Sequence, residues 1–155
     1  MNHNKLQMGR RPAIAYIYWI TIFMLALTGF AQMPIFKRYY IADIPGLGWL
    51  AAFYVTHYLH YLFAILLLTV ISYILTNYLL LKEWQKKISQ SGYVRMMILV
   101  GLIITGILLV IRNLSGTIFS PGFIIVLNIC HAALVIALLI AGLLCMIFRK
   151  KWVES

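Results

Sequence analysis

Long stretches without a charged side chain are the feature that most constrains this sequence. Its 13 basic and three acidic residues leave four charge-free intervals, at positions 12–36, 44–81, 96–111 and 113–148. A helix that crosses the hydrocarbon core of a bilayer needs about 20 mainly apolar residues. Each interval therefore predicts one membrane-spanning helix, and the shortest is extended by arginines at both ends, whose side chains can reach the interface.

The composition agrees with this prediction, since 64% of the residues are hydrophobic, compared with about half in soluble domains. We predict an all-α fold, a four-transmembrane-helix bundle that forms a single membrane domain over residues 1–155. The predicted helices occupy positions 12–33, 49–81, 93–111 and 123–148. The first apolar stretch is too long for the core of a signal peptide, so we expect it to remain as the first helix. No internal repeat is evident.

The basic residues are divided unevenly between the two sides of the predicted membrane. Three belong to one side, Lys37, Arg38 and Arg112, and ten to the other: Lys5, Arg10, Arg11, Lys82, Lys86, Lys87, Arg95, Arg149, Lys150 and Lys151. Cytoplasmic loops are enriched in lysine and arginine, so we expect both termini in the cytoplasm. The net charge of +10 then reflects topology and predicts no nucleic-acid partner. The outer loop 34–48 is a candidate docking surface.

Two histidines fall inside predicted helices that run in the same direction. His60 follows Trp49 by eleven residues and His131 follows Phe123 by eight, which places both roughly 12–16 Å below the outer ends of their helices. An imidazole at such a depth needs a hydrogen-bond partner or a metal. The two rings could hold a haem iron from both sides, or each could bond to a neighbouring helix.

Short motifs in three helices extend this pattern. The first helix contains Tyr18-Trp19 and Leu27-Thr28-Gly29 after Arg11, the second has His60 followed by Ala64, and the fourth has His131 with Cys145 fourteen residues later. In these motifs, and over nearly its whole length, the chain resembles the four-helix membrane cytochrome b subunits of prokaryotic respiratory oxidoreductases. That group includes the formate dehydrogenase gamma subunit, thiosulfate reductase and the nickel–iron hydrogenase cytochrome b.

The resemblance implies one haem b where the family has two. Tyr18 and Cys145 stand where the family has the histidines of its cytoplasmic-side haem, whereas His60 and His131 match the ligands of its outer haem. The resemblance therefore implies that His60 and His131 are the two axial ligands. His57, three residues earlier on nearly the same face, is the alternative ligand in the second helix, or an interfacial histidine that bonds a propionate, lipid or water.

Five further residues are candidates for contacts with a haem. Lys37, Arg38 and Arg112 are candidates to neutralise haem propionates on the outer side, although interfacial anchoring explains them equally well. Gly29 and Gly106 are candidates to make room for the flat faces of the porphyrin, although close helix packing also explains them.

The expected function is electron transfer by a membrane-anchoring subunit of the prokaryotic inner membrane, not catalysis by the chain alone. One haem b would connect an iron–sulphur or multihaem subunit on the outer face with the quinone pool. Because the family's quinone lies near the inner haem, no quinone-binding residue is carried over. The alternative is a haem-free membrane anchor that docks other subunits. A transporter is disfavoured because no acidic residue lies in a predicted span.

Overall fold

The computed structural model describes residues 3–33, 43–80, 88–114, 116 and 119–149, with side chains from Ala13 onward. These residues form four long α-helices, α1 (His3–Ala31), α2 (Phe53–Leu80), α3 (Gln90–Arg112) and α4 (Pro121–Ile147). A short 3-10 helix, Gly48–Ala51, precedes α2. The predicted all-α fold is confirmed for the described part of the chain, while the location of the termini stays a prediction.

All four helices contain a segment that is long and apolar enough to cross a membrane. These segments are Ala13–Ala31, Phe53–Leu80, Gln90–Arg112 and Pro121–Ile147. Few of their side chains are buried, and large apolar ones such as Phe23, Ile65 and Leu80 are exposed. Apolar surface of this extent is unfavourable in water and suits contact with lipid. The four helices therefore fit an integral membrane protein.

The chain divides into two compact units, which we call unit 1 (Met1–Glu83) and unit 2 (Trp84–Ser155). Unit 1 pairs α1 with α2, and unit 2 pairs α3 with α4, so each unit is a helical hairpin. In unit 1 the 3-10 helix also packs against both long helices, and its Leu50 is only 1% exposed. The single domain expected over 1–155 stays a prediction.

Two helices begin slightly earlier than the apolar pattern predicted, because a serine caps each of them. Ser89 Oγ accepts a hydrogen bond from the Gly92 backbone N–H at 3.0 Å, and α3 accordingly begins at Gln90. Ser120 Oγ accepts one from the Phe123 N–H at 3.3 Å, and α4 begins at position 121 with a proline. Serine is a favoured N-cap residue, and proline suits the first helical turn.

The starts of the other two helices also differ from the prediction. α1 begins at His3, nine residues before the expected position 12, since the apolar run marks where a membrane segment begins and not where a helix begins. α2 begins at Phe53, four residues after the expected position 49. The residues before it form the 3-10 helix, and Ala52 then adopts an extended conformation with ψ of 93° that interrupts the helical path.

Candidate functional site

In unit 1, the imidazole of His60 on α2 contacts two adjacent residues of α1. His60 Nδ1 lies 3.0 Å from Thr28 Oγ1, and Thr28 is fully buried. The next residue, Gly29, lies directly against the ring: a Cβ added there would be 3.2 Å from His60 Cε1. Threonine therefore binds the imidazole, and glycine gives it the space to approach α1 this closely.

Unit 2 contains the same arrangement on α3 and α4. His131 Nδ1 lies 2.8 Å from Thr105 Oγ1. A Cβ added to Gly106 would lie 3.6 Å from His131 Cε1, which is an ordinary contact distance. The helices of this unit also approach closely one turn away, because a Cβ on Gly101 would be 3.1 Å from Leu134 Cδ1.

The two units thus share a three-residue arrangement, which we call the Thr-Gly/His set. It consists of an adjacent threonine and glycine on the first helix of the hairpin and a histidine on the second. The threonine and histidine are 32 residues apart in unit 1 and 26 apart in unit 2. Since Nδ1 of each ring is engaged by threonine, coordination of a metal by either ring would have to use Nε2.

The structure also gives each histidine a position along its own helix. His60 lies seven residues after the start of α2 and His131 ten residues after the start of α4, or about 10 Å and about 15 Å along the respective axes. The expectation that the two rings lie at the same depth in the membrane stays a prediction.

His57, the alternative ligand of the second helix, has a different partner. Its Nδ1 lies 3.0 Å from Gln32 Oε1, and the Gln32 amide nitrogen donates to the Thr28 backbone carbonyl at 3.1 Å. Its ring stacks on Phe53, with centroids 5.3 Å apart, and lies 4.4 Å from the ring of Tyr61. His57 is therefore a half-buried histidine held by an amide at the end of α1, one turn beyond the Thr-Gly/His set.

The structure describes some of the remaining predicted residues. Arg112, the last residue of α3, donates from Nε and Nη2 to Asn113 Oδ1 at 3.2 and 3.1 Å. Arg38 and its neighbour Lys37 lie outside the described residues. Tyr18 and Cys145 are both half-buried, Tyr18 in unit 1 beside Trp19 and Cys145 in unit 2.

Three residues of the site were not assigned a bonding role from the sequence: Thr28, Thr105 and Gln32. One sequence feature could have pointed to the two threonines: a threonine followed by a glycine occurs in the first helix of each hairpin, at 28–29 and 105–106. Within the described residues no three His, Cys, Asp or Glu side chains cluster.

The described residues define a class of protein: a chain with four helices long and apolar enough to cross a membrane, arranged in two hairpins that each hold one histidine by a threonine hydroxyl. No known protein family matches the chain, and no curated protein sequence or solved structure is significantly similar to it.

Proposed function

We propose that this chain is the membrane-anchoring b-type cytochrome subunit of a respiratory oxidoreductase, with His60 and His131 as the axial ligands of a single haem b. The observation that carries the proposal is that the Thr-Gly/His set recurs in both units, at the same two histidines that the sequence singled out as ligands.

The chemistry of the two histidines supports this assignment. Histidines that bind a metal almost always donate their second ring N–H to an oxygen acceptor, which fixes the orientation of the ring and the nitrogen that faces the metal. Both rings have such an oxygen at Nδ1, at 3.0 Å for His60 and 2.8 Å for His131. The glycine beside each threonine places no Cβ against the ring. Each imidazole, taken by itself, therefore has the kind of hydrogen bond that an axial haem ligand uses.

Comparison of the two units favours His60 over His57 as the ligand on α2. When Thr28 is matched with Thr105 and His60 with His131, the position of His57 corresponds to Asn128. The position of Gln32 likewise corresponds to Leu109, so unit 2 has no counterpart of the His57–Gln32 pair. His60 belongs to the shared set and His57 does not.

In this proposal the chain supplies binding, orientation and charge. A bound haem b provides one-electron transfer, and its potential depends on the ligands and their hydrogen bonds. Arg112 lies six residues, or about 9 Å, along α3 from Gly106. Its guanidinium donates to Asn113 and has further N–H groups with which it would bind carboxylate groups such as propionates. The electrons would pass between the quinone pool and an iron–sulphur or multihaem subunit that docks on the outer face, with both termini in the cytoplasm of a prokaryotic cell.

A haem-free membrane anchor is the second candidate, and one observation favours it. The hydrogen bonds between each threonine hydroxyl and its histidine satisfy one nitrogen of each imidazole without any metal. Such bonds between neighbouring helices contribute on the order of 0.5–2 kcal/mol in membrane proteins. The same contacts would therefore be useful in a chain whose task was only to hold other subunits at the membrane.

Haem content separates the two candidates. The protein would be purified in detergent together with its partner subunits, and its haem and iron measured by the pyridine haemochrome assay and metal analysis. We expect a b-type spectrum with one haem per chain, and we expect His60→Ala and His131→Ala each to abolish it. Wild-type protein without haem, or His131→Ala with unchanged haem, would refute the cytochrome assignment and leave the anchor.

His57→Ala is the matched control, because it removes an imidazole from the same helix three residues away. We expect this variant to retain its haem, since His57 bonds to Gln32 and lies outside the Thr-Gly/His set. Loss of haem in His57→Ala, with retention in His60→Ala, would transfer the ligand role on α2 to His57.

A further inference from the structure

The hydroxyl groups of Thr28 and Thr105 each lie near an imidazole and two backbone carbonyls of the preceding turn, the more distant carbonyls being Leu25 at 3.3 Å and Leu102 at 3.2 Å. Thr28 Oγ1 lies 2.7 Å from the backbone carbonyl oxygen of Met24, one turn earlier in α1, and 3.0 Å from His60 Nδ1. Thr105 Oγ1 lies 2.8 Å from the carbonyl oxygen of Gly101 and 2.8 Å from His131 Nδ1. The two hydroxyls are therefore placed between a backbone carbonyl and an imidazole nitrogen in the same way.

The direction of each hydrogen bond follows from the number of protons available. A hydroxyl has one proton to donate, whereas a carbonyl oxygen can only accept. An oxygen–oxygen distance of 2.7–2.8 Å to the carbonyl is a normal O–H···O bond, so the hydroxyl proton lies between the threonine and the carbonyl. The bond to the imidazole must then use a proton on Nδ1, with the threonine oxygen as acceptor.

We propose that Thr28 and Thr105 are positioning residues that fix His60 and His131 in the neutral tautomer with the proton on Nδ1. The lone pair of each ring is then on Nε2, the nitrogen with which an imidazole in this orientation can bind a metal. The threonine is held in turn by its own helix, which orients the acceptor before any ligand binds. The statement about the tautomer is independent of the haem; its effect on a bound haem rests on the function proposed above.

Another threonine of α1 shows that the histidine contact is not a general property of threonine in these helices. Thr21 is also fully buried and donates to the carbonyl of Ile17 at 2.7 Å. Back-bonding to the preceding turn is how threonine commonly satisfies its hydroxyl in a membrane helix. Thr28 and Thr105 make the same bond and additionally accept a proton from an imidazole. Thr21 therefore provides a matched control.

The tautomers can be measured directly by nitrogen NMR of histidine-labelled, haem-free full-length protein in detergent, with assignments from single histidine variants. For wild-type protein we expect His131 to show a protonated Nδ1 and an unprotonated Nε2, and the same for His60. Thr105→Val keeps the shape of the side chain but removes the acceptor, so we expect the proton of His131 to redistribute towards Nε2. Thr105→Ser should restore the wild-type signals, and Thr21→Val should leave both histidines unchanged.

Two results would overturn the proposal. One is a wild-type His131 with its proton on Nε2, which needs no variant and so does not depend on whether Thr105→Val folds. The other is a folded Thr105→Val protein whose His131 signals equal those of the wild type. Neither result bears on whether haem binds.

In the haem-loaded protein the same variants have a second measurable effect. An Nδ1–H bond to an oxygen increases the electron donation of the ring to iron and so favours the ferric state. We expect Thr28→Val and Thr105→Val to raise the midpoint potential, with Thr105→Ser close to wild type and Thr21→Val unchanged. Equal potentials in all four variants would refute this role in tuning. If the purified wild-type protein contains no haem, the cytochrome assignment is refuted, and the NMR result on the tautomers is unaffected.

Discussion

Alanine substitution of the two glycines beside the histidines should affect stability in different directions. A Cβ at position 29 would lie 3.2 Å from His60 Cε1, whereas a Cβ at position 106 would lie 3.6 Å from His131 Cε1. Gly29→Ala therefore requires the imidazole to move by a few tenths of an ångström, and Gly106→Ala does not. The movement of His60 is resisted by its 3.0 Å bond to Thr28.

The magnitude follows from two opposing terms. Replacing glycine by alanine inside a helix stabilises it by up to about 1 kcal/mol, and this term applies to both variants. Overpacking typically costs about 1–3 kcal/mol and applies only at position 29. We therefore expect Gly106→Ala to be neutral or up to about 1 kcal/mol more stable, and Gly29→Ala to be less stable than Gly106→Ala by about 1–3 kcal/mol.

The assay is reversible unfolding of the detergent-solubilised protein by titration with a denaturing detergent, followed by helical circular dichroism. The haem content of both variants is measured in parallel, and we expect Gly29→Ala to lose more haem because His60 is displaced. Equal stabilisation by the two alanines would contradict the reasoning, since it would mean that His60 can move away from α1 at no cost.

Two further substitutions test other contacts of unit 1. Leu50→Ala removes a side chain that is only 1% exposed, and we expect thermal unfolding to show a loss of stability of about 2–5 kcal/mol. Replacement of the exposed Leu68 by alanine is the control and should have little effect. Equal losses of stability in the two variants would contradict the packing of the 3-10 helix. Gln32→Leu removes the amide that accepts from His57 Nδ1 at 3.0 Å, so nitrogen NMR should show His57 in a mixture of tautomers while haem content stays unchanged. A loss of haem would instead make the His57–Gln32 pair part of the haem site.

The number and type of the helices could be read from the sequence because charge-free intervals are a direct consequence of the cost of burying charge in lipid. The helix ends were less predictable. The caps at Ser89 and Ser120 and the extended Ala52 are local hydrogen-bond and backbone features, and hydrophobic patterning does not report on them.

The histidines were identified from the sequence as polar groups that need a partner, but their partners were not. Thr28 and His60 are 32 residues apart, and Thr105 and His131 are 26 apart. Whether two such residues meet depends on how each helix is rotated and shifted against its neighbour. The correspondence between the hairpins was missed for a related reason, because it consists of three residues at unequal separations and is too short to appear as a sequence repeat.

The residue after each threonine lies against the histidine ring, and at Gly29 the absence of a Cβ allows the close approach of the two helices. Each hairpin carries its own acceptor, its own imidazole and its own small residue, so in the cytochrome that we propose each hairpin would orient one haem ligand by itself. The conformational entropy of ordering a ligand ring is then lost when the hairpin folds and not when a cofactor arrives. The rate at which the proposed cytochrome takes up haem would then depend on how haem reaches the site through the lipid and on how much haem is supplied.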